Sequence, residues 1–180
     1  MALTQYFVAS SIDGFIADEN DDLAWLLQLE GGPDDDTNPY GAFIADVGVL
    51  AMGATTYEWI LHNHPAEWWY GDRPTWVFTH RELEPIEGAN LRFTADPVPD
   101  AHAAMTAAAG SQNVWLVGGG DLAGQFLDHD LIDELWLTVA PVSLGAGAPV
   151  LPRRRTTPMT LTSMTAGRAG RFAHLRYTLR

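Results

Sequence analysis

The chain has 180 residues, a formal net charge of -13 at pH 7, no cysteine and no lysine. Without thiols there is no disulfide, thiolate metal centre or cysteine nucleophile, and a reducing cytoplasm is the expected home. No apolar run approaches the roughly 20 residues of a membrane span, MALTQYFVAS lacks the basic flank and long apolar core of a signal peptide, and the charge argues against a general nucleic-acid or anionic-membrane binder.

A chain of this length buries about 70% of its unfolded surface around one core. With no internal repeat and no linker-like shift in composition, one domain over 1–180 is expected. Tyr6, Phe7, Val8 and Ala9 form a first strand, left through a turn over 10–14. Phe15, Ile16 and Ala17 follow, then the acidic loop ADENDD, a candidate lid. Leu23, Trp25, Leu26, Leu27 and Leu29 then recur at helix-like spacing until Gly31, Gly32 and Pro33 close the segment. After a polar loop over 34–38, Asn38 and Pro39 supply a cap and first turn for a helix through Asp46.

Residues 48–52 read as a second buried strand. Gly53, Ala54, Thr55 and Thr56 begin a helix that carries Tyr57, Ile60 and Leu61. Its first turn points hydroxyls and free N–H groups above the sheet, which makes it a candidate anion site. The aromatic stretch HNHPAEWWYGD follows. His62 and His64 without a third ligand read as surface residues rather than a metal site, and no metal is assigned. Trp68, Trp69 and Tyr70 could line a pocket, form a dimer contact or cover a core edge.

A third strand over 75–79 ends at His80 and Arg81, a fourth covers 91–94, and an alanine-rich helix spans 100–109 between Pro99 and Gly110. Val114, Trp115, Leu116 and Val117 then form a strand that breaks into Gly118, Gly119 and Gly120 and resumes as Leu122, Ala123, Phe126 and Leu127 at helical spacing. Such a turn either cradles a phosphate or serves as an ordinary connector. A further apolar run covers 135–142, and runs over 159–165 and 171–179 suit an antiparallel hairpin joined through Gly167 and Gly170.

Alternating strands and helices imply an α/β fold, with a mostly parallel sheet, helices on both faces and an antiparallel C-terminal hairpin at an edge. Ligands of such sheets lie beyond the carboxyl ends of strands. The segments 10–14, 53–56, 79–81 and 118–120 should therefore ring one cleft. Two helix starts and the strand-end Arg81 suit a dinucleotide, with pyrophosphate between the turns and an extra phosphate near Arg81. Charge is unevenly spread: all 23 acidic residues precede Leu151, whereas 7 of the 10 arginines lie from Arg153 onward. That tail, densest at Arg153, Arg154 and Arg155, reads either as a nucleic-acid arm or as the partner of its own acidic body. Its strand patterning favours the second.

The segments SIDGFIA, MGATTYE and, most specifically, the glycine turn followed by LIDELWLTVAPVSLGAG resemble the reductase domain at the C-terminus of riboflavin-biosynthesis deaminase-reductases, including stand-alone proteins of dihydrofolate-reductase-like fold. The resemblance covers nearly the whole chain. It implies a three-layer α/β sandwich and NADPH-dependent hydride transfer to a pyrimidine- or pterin-like heterocycle, with a NADPH-binding sensor of little turnover as the alternative. It further implies that Gly53, Thr55 and Thr56, with Val117, Gly118, Gly119, Gly120, Asp121 and Leu122, hold the pyrophosphate. Thr79, His80 and Arg81 would then lie near the adenosine 2′-phosphate, and Ala9 and Ile16 would flank the nicotinamide. DDLAWL resembles the helix start of dihydrofolate reductases, whose acid stands three residues before a tryptophan, as Asp22 stands before Trp25. Asp22 and Asp13 are thus the candidate proton sources, although the one could equally cap its helix and the other brace its turn. Relatives carry a lysine where this chain has Phe7 or a near neighbour, a glutamate where it has Val117 and often a basic residue where it has Ala54. The family also implies a homodimer, through the tryptophan-rich region 68–76 or the terminal hairpin.

Overall fold

The computed structural model describes residues 2–29, 39–65, 67–167 and 170–179. The expected helix end at Gly31, Gly32 and Pro33, the loop over 34–38 and the Asn38 cap lie outside the described residues. In chain order the elements are β1 (Thr4–Ser10), β2 (Phe15–Ala17), α1 (Ala24–Leu27), α2 (Tyr40–Ala45), β3 (Val47–Gly53), α3 (Ala54–Asn63), β4 (Thr75–Phe78) and β5 (Leu91–Thr94). They continue with α4 (Val98–Ala109), β6 (Asn113–Gly118), α5 (Gly120–Asp128), β7 (Glu134–Val139), β8 (Ala148–Pro149), β9 (Thr160–Ala166) and β10 (Ala173–Thr178).

Eight strands form one sheet in the order β5-β4-β3-β6-β1-β7-β10-β9. The first six run parallel, and β10 and β9 complete the edge antiparallel. The expected parallel sheet with a terminal hairpin is what forms. Period-two alternation divides each central strand between two apolar layers. Tyr6, Val49, Ala51, Val114 and Leu116 face Met105 and Phe126 of α4 and α5. Phe7, Leu50, Met52 and Trp115 face Phe43, Tyr57 and Ile60 of α2 and α3. The result is a three-layer α/β sandwich.

Local chemistry explains the departures from expectation. β7 stops at Val139 rather than reaching residue 142: Ala140 still donates to Ser10 at 2.8 Å, and Pro141 has no N–H to extend the ladder. α4 begins at Val98, two residues early, with Pro97 at the N-cap and a proline in its first turn, where a missing N–H costs nothing. α1 is only four residues long. β8 was not foreseen; it pairs with β2 in a separate two-stranded sheet. Its approach requires glycine, because a Cβ on Gly120 would fall on the carbonyl oxygen of Pro149 and one on Gly147 on that of Ala17.

The arginine tail closes onto the acidic body. Arg153 bonds Asp128 at 2.8 Å and Asp121 at 3.0 Å, Arg155 bonds Asp130 at 3.3 Å, and Arg176 bonds Glu134 at 2.6 Å. Among the described residues no helix is long and apolar enough to cross a membrane.

Candidate active site

Because β1, β3, β4 and β6 are parallel, their carboxyl ends share one edge of the sheet, and the four expected segments lie along it. Gly53 ends β3 and is the N-cap of α3, while Gly119 follows β6 and is the N-cap of α5; neither helix start has a side-chain cap. The first-turn N–H groups of both helices are thus left for a ligand or water, at the positive ends of two helix dipoles. The turns face each other: a Cβ on Gly53 would lie 3.9 Å from the Gly119 nitrogen, and one on Gly118 would lie 3.1 Å from Thr56 Oγ1. The Gly118–Gly119 peptide is cis. Asp121 stands in the first turn of α5, but its carboxylate accepts from Gln125 at 2.9 Å and from Arg153 at 3.0 Å. Those two bonds hold its carboxyl below the ordinary value. Leu122 is buried in the core.

Two strands away, the Arg81 N–H donates to Thr79 Oγ1 at 2.9 Å. The Arg81 guanidinium grips Glu58 of α3 through both terminal nitrogens, at 2.9 and 2.7 Å. His80 is exposed beside it.

Next to the glycine turn opens a cavity of about 500 Å³. Phe7, Val8 and Ala9 of β1 and Trp115 and Val117 of β6 line it from the sheet. Thr56, Trp59 and Ile60 of α3 contribute from one side with His64, Trp69 and Tyr70, and Ile16, Leu23, Leu26 and Leu27 come from the β2–α1 region. Of the expected cofactor residues, Ala9, Ile16, Thr56 and Val117 line this cavity. Gly53, Thr55, Thr79, His80, Arg81, Gly118, Gly119, Gly120, Asp121 and Leu122 lie outside its lining. The aromatic loop is pinned by Arg73, which donates to the carbonyls of Val47, Tyr70 and Ile44 at 2.9, 3.2 and 3.2 Å.

The structure adds two residues that sequence reasoning missed. Ala9 pairs with Thr138 and Thr138 with His174, so the three form a row across adjacent strands. All three line the cavity, and Thr138 Oγ1 lies 3.0 Å from His174 Nδ1. Below them Glu134 accepts from Gln5 at 2.8 Å, Trp136 at 2.9 Å and Arg176 at 2.6 Å. Burial pushes the Glu134 carboxyl up, but the bonds from Arg176, Trp136 and Gln5 outweigh it and hold it below the ordinary value. Alternation in ELWLT and AHLRYT puts Glu134, Trp136, Thr138, His174 and Arg176 on one face, which was the available signal.

The two carboxylates expected near the cofactor are engaged elsewhere. Asp13 accepts from Ser11 Oγ at 2.6 Å, Ser143 Oγ at 2.8 Å and the N–H groups of Gly145 and Leu144 at 2.7 and 3.1 Å. Ser11 foremost, then Gly145, hold its carboxyl well below the usual carboxylate range. It braces the β1–β2 turn against the loop after β7. Asp22 Oδ1 accepts from the Leu23 and Ala24 N–H groups at 2.6 and 3.1 Å, capping the entry to α1, and does not line the cavity. His64 meets Trp69 edge to face, with ring centroids 4.2 Å apart and an interplanar angle of 61°. Among the described residues no three potential metal ligands cluster.

A mostly parallel sheet between two helical layers, closed by an antiparallel C-terminal hairpin, defines the class: a dihydrofolate-reductase-like α/β fold, with two facing helix starts at its carboxyl edge beside an apolar cavity. The chain belongs to the RibD C-terminal domain family, whose model matches residues 55–170. It is 33% identical over 147 residues to the uncharacterized protein YwjB of Bacillus subtilis, covering 82% of this chain and 81% of that one. A crystal structure of a Shewanella sp. PV-4 protein assigned to riboflavin biosynthesis superposes with a TM-score of 0.81 at 26% identity, over 99% of this chain and 98% of that one. The fold is shared, at 14% identity and a TM-score of 0.64, with Enterococcus faecalis dihydrofolate reductase complexed with NADP(H), over 98% of this chain and 95% of that one.

Proposed function

We propose that this chain is an NADPH-dependent reductase that delivers hydride to a heterocycle held in the cavity. Thr56 carries the reading. Its Oγ1 stands against the glycine turn, and the same residue lines the cavity, so the anion-binding edge and the substrate space meet at one side chain. The residues present fit the cofactor, because the space between Gly53 and Gly118–Gly119 is one that added Cβ atoms would narrow. When bound there, NADPH supplies the hydride.

The uncapped N–H groups after Gly53 and Gly119, with Thr55, bind the pyrophosphate. Arg81, with Thr79 and His80, receives the 2′-phosphate. Ala9 and Ile16 flank the nicotinamide, and the aromatic wall excludes water and orients the acceptor. Proton delivery to the reduced centre belongs to the Thr138–His174 pair, the row nearest Ala9, rather than to Asp22, whose carboxylate caps a helix. The enzyme works in the cytoplasm as a homodimer, checked by light scattering of the purified chain.

Titration with NADPH and NADH, followed by energy transfer from tryptophan, tests the reading: NADPH binds preferentially, and failure of both to bind would sink it. His174→Asn then lowers the rate and removes an ionisation from its pH profile, whereas Asp22→Asn leaves the profile in place. The opposite pattern returns the proton to Asp22.

A further inference from the structure

We infer that the cavity takes a planar ring system without charge, and that neither a phosphoribosyl nor a glutamyl tail enters it. This names the substrate class of the proposed reductase and so rests on that reading, although the cavity's ligand can be measured without it. No lysine, arginine, aspartate or glutamate appears among the described lining residues, and the chain contains no lysine at all. The described arginines near the fold's acidic body are committed elsewhere: Arg81 to Glu58, Arg153 to Asp121 and Asp128, Arg155 to Asp130, Arg176 to Glu134. Arg73 serves three backbone carbonyls. With the imidazoles of His64 and His174 neutral, a phosphate or carboxylate drawn into this space would be a desolvated charge with no opposite charge among the described lining residues to meet it, which is strongly unfavourable.

The entrance says the same. Leu27 and Trp69 line the cavity while remaining 61% and 48% exposed, so the mouth is apolar on two sides. Trp59, Trp69 and Trp115 are among the lining residues, and an aromatic wall of this kind favours a flat π partner. The polar groups left to orient it are hydroxyls and imidazoles, chiefly Thr56, Thr138 and His174. A surface carrying a net charge of -13 adds a general repulsion of anions on approach.

Riboflavin and flavin mononucleotide share one ring and one side chain and differ by a phosphate, so they serve as probes. Equilibrium dialysis of the full chain against each at pH 8, where an ordinary imidazole is neutral, should show riboflavin binding at least tenfold tighter. Leu27→Arg, a change at an exposed mouth position, should narrow that gap at least fivefold. The inference is overturned if the mononucleotide binds as tightly as riboflavin or tighter, if riboflavin does not bind, or if Leu27→Arg leaves the gap unchanged. NADPH titrated into the same sample separates the two readings. Riboflavin binding without NADPH binding removes the reductase and keeps the ligand class, whereas NADPH binding with a preference for the mononucleotide does the reverse.

Discussion

Thr56 joins the two halves of the site, and its position was legible because a hydroxyl in the first turn after a strand-ending glycine has few places to point. His174 was not legible. Alternation assigns it a face, but only the register of β10 on β7, and of β7 on β1, sets it in a row with Ala9, and pairing between distant segments leaves no local trace. Asp13 shows the converse: a carboxylate in a turn can serve chemistry or bracing, and only the fold reveals the four donors that surround it. A carboxyl held below its ordinary value stabilises the fold above that value and loses this contribution as pH falls through the lowered one. Asp13→Asn should therefore lower Tm by a few degrees between pH 5 and 8, by a constant amount, with the gap closing only in strong acid. Arg81 yields a second test. Its grip on Glu58 competes with any phosphate, and an exposed pair of this kind contributes little. Glu58→Gln should raise NADPH affinity on the order of two- to fivefold without moving NADH affinity, as read by the same fluorescence titration.

At the scale of elements, the parallel strands and their following helices could be read because each apolar run ends in glycine or a hydroxyl and restarts at helical spacing. The expectations that four strand ends share one edge and that a hairpin closes the sheet rest on that punctuation. β8 escaped because two residues carry no periodicity, and α1 covers only four residues, of which Leu26 and Leu27 line the cavity rather than a buried helix face. The chemistry that seats β8 is nevertheless strict. A Cβ at Gly120 would meet the Pro149 and Val150 carbonyl oxygens, the latter at 2.9 Å, and backbone atoms cannot rotate aside as a side chain can. Gly120→Ala should cost about 3 kcal/mol or more, roughly 6–12 °C in Tm, measured by calorimetry. Gly118→Ala, whose nearest neighbour is the Thr56 hydroxyl at 3.1 Å, should be milder for stability and act mainly on NADPH affinity.

At the scale of the whole molecule, charge decides the response to solvent. The chain's 23 acidic residues face 10 arginines, and the exposed pairs Arg81–Glu58, Arg153–Asp121 and Arg153–Asp128 answer only some of them. Salt acts on both sides of that balance. It weakens each exposed pair, worth about 0–1 kcal/mol, and it weakens repulsion among the unpaired carboxylates, which act over longer distances and are screened first as the Debye length falls below about 10 Å. With a net charge of -13 the repulsion outweighs the pairing, since compaction brings like charges together. Tm should therefore rise by a few degrees as sodium chloride is increased from low ionic strength, and a fall would mean that the ion pairs of the C-terminal tail dominate. The rise should shrink near pH 5, where fewer surface carboxylates are charged. Glu134 should not contribute to that change, because a carboxyl held below its ordinary value by Arg176, Trp136 and Gln5 stays ionised through that range and gives up its stabilising bonds only at lower pH.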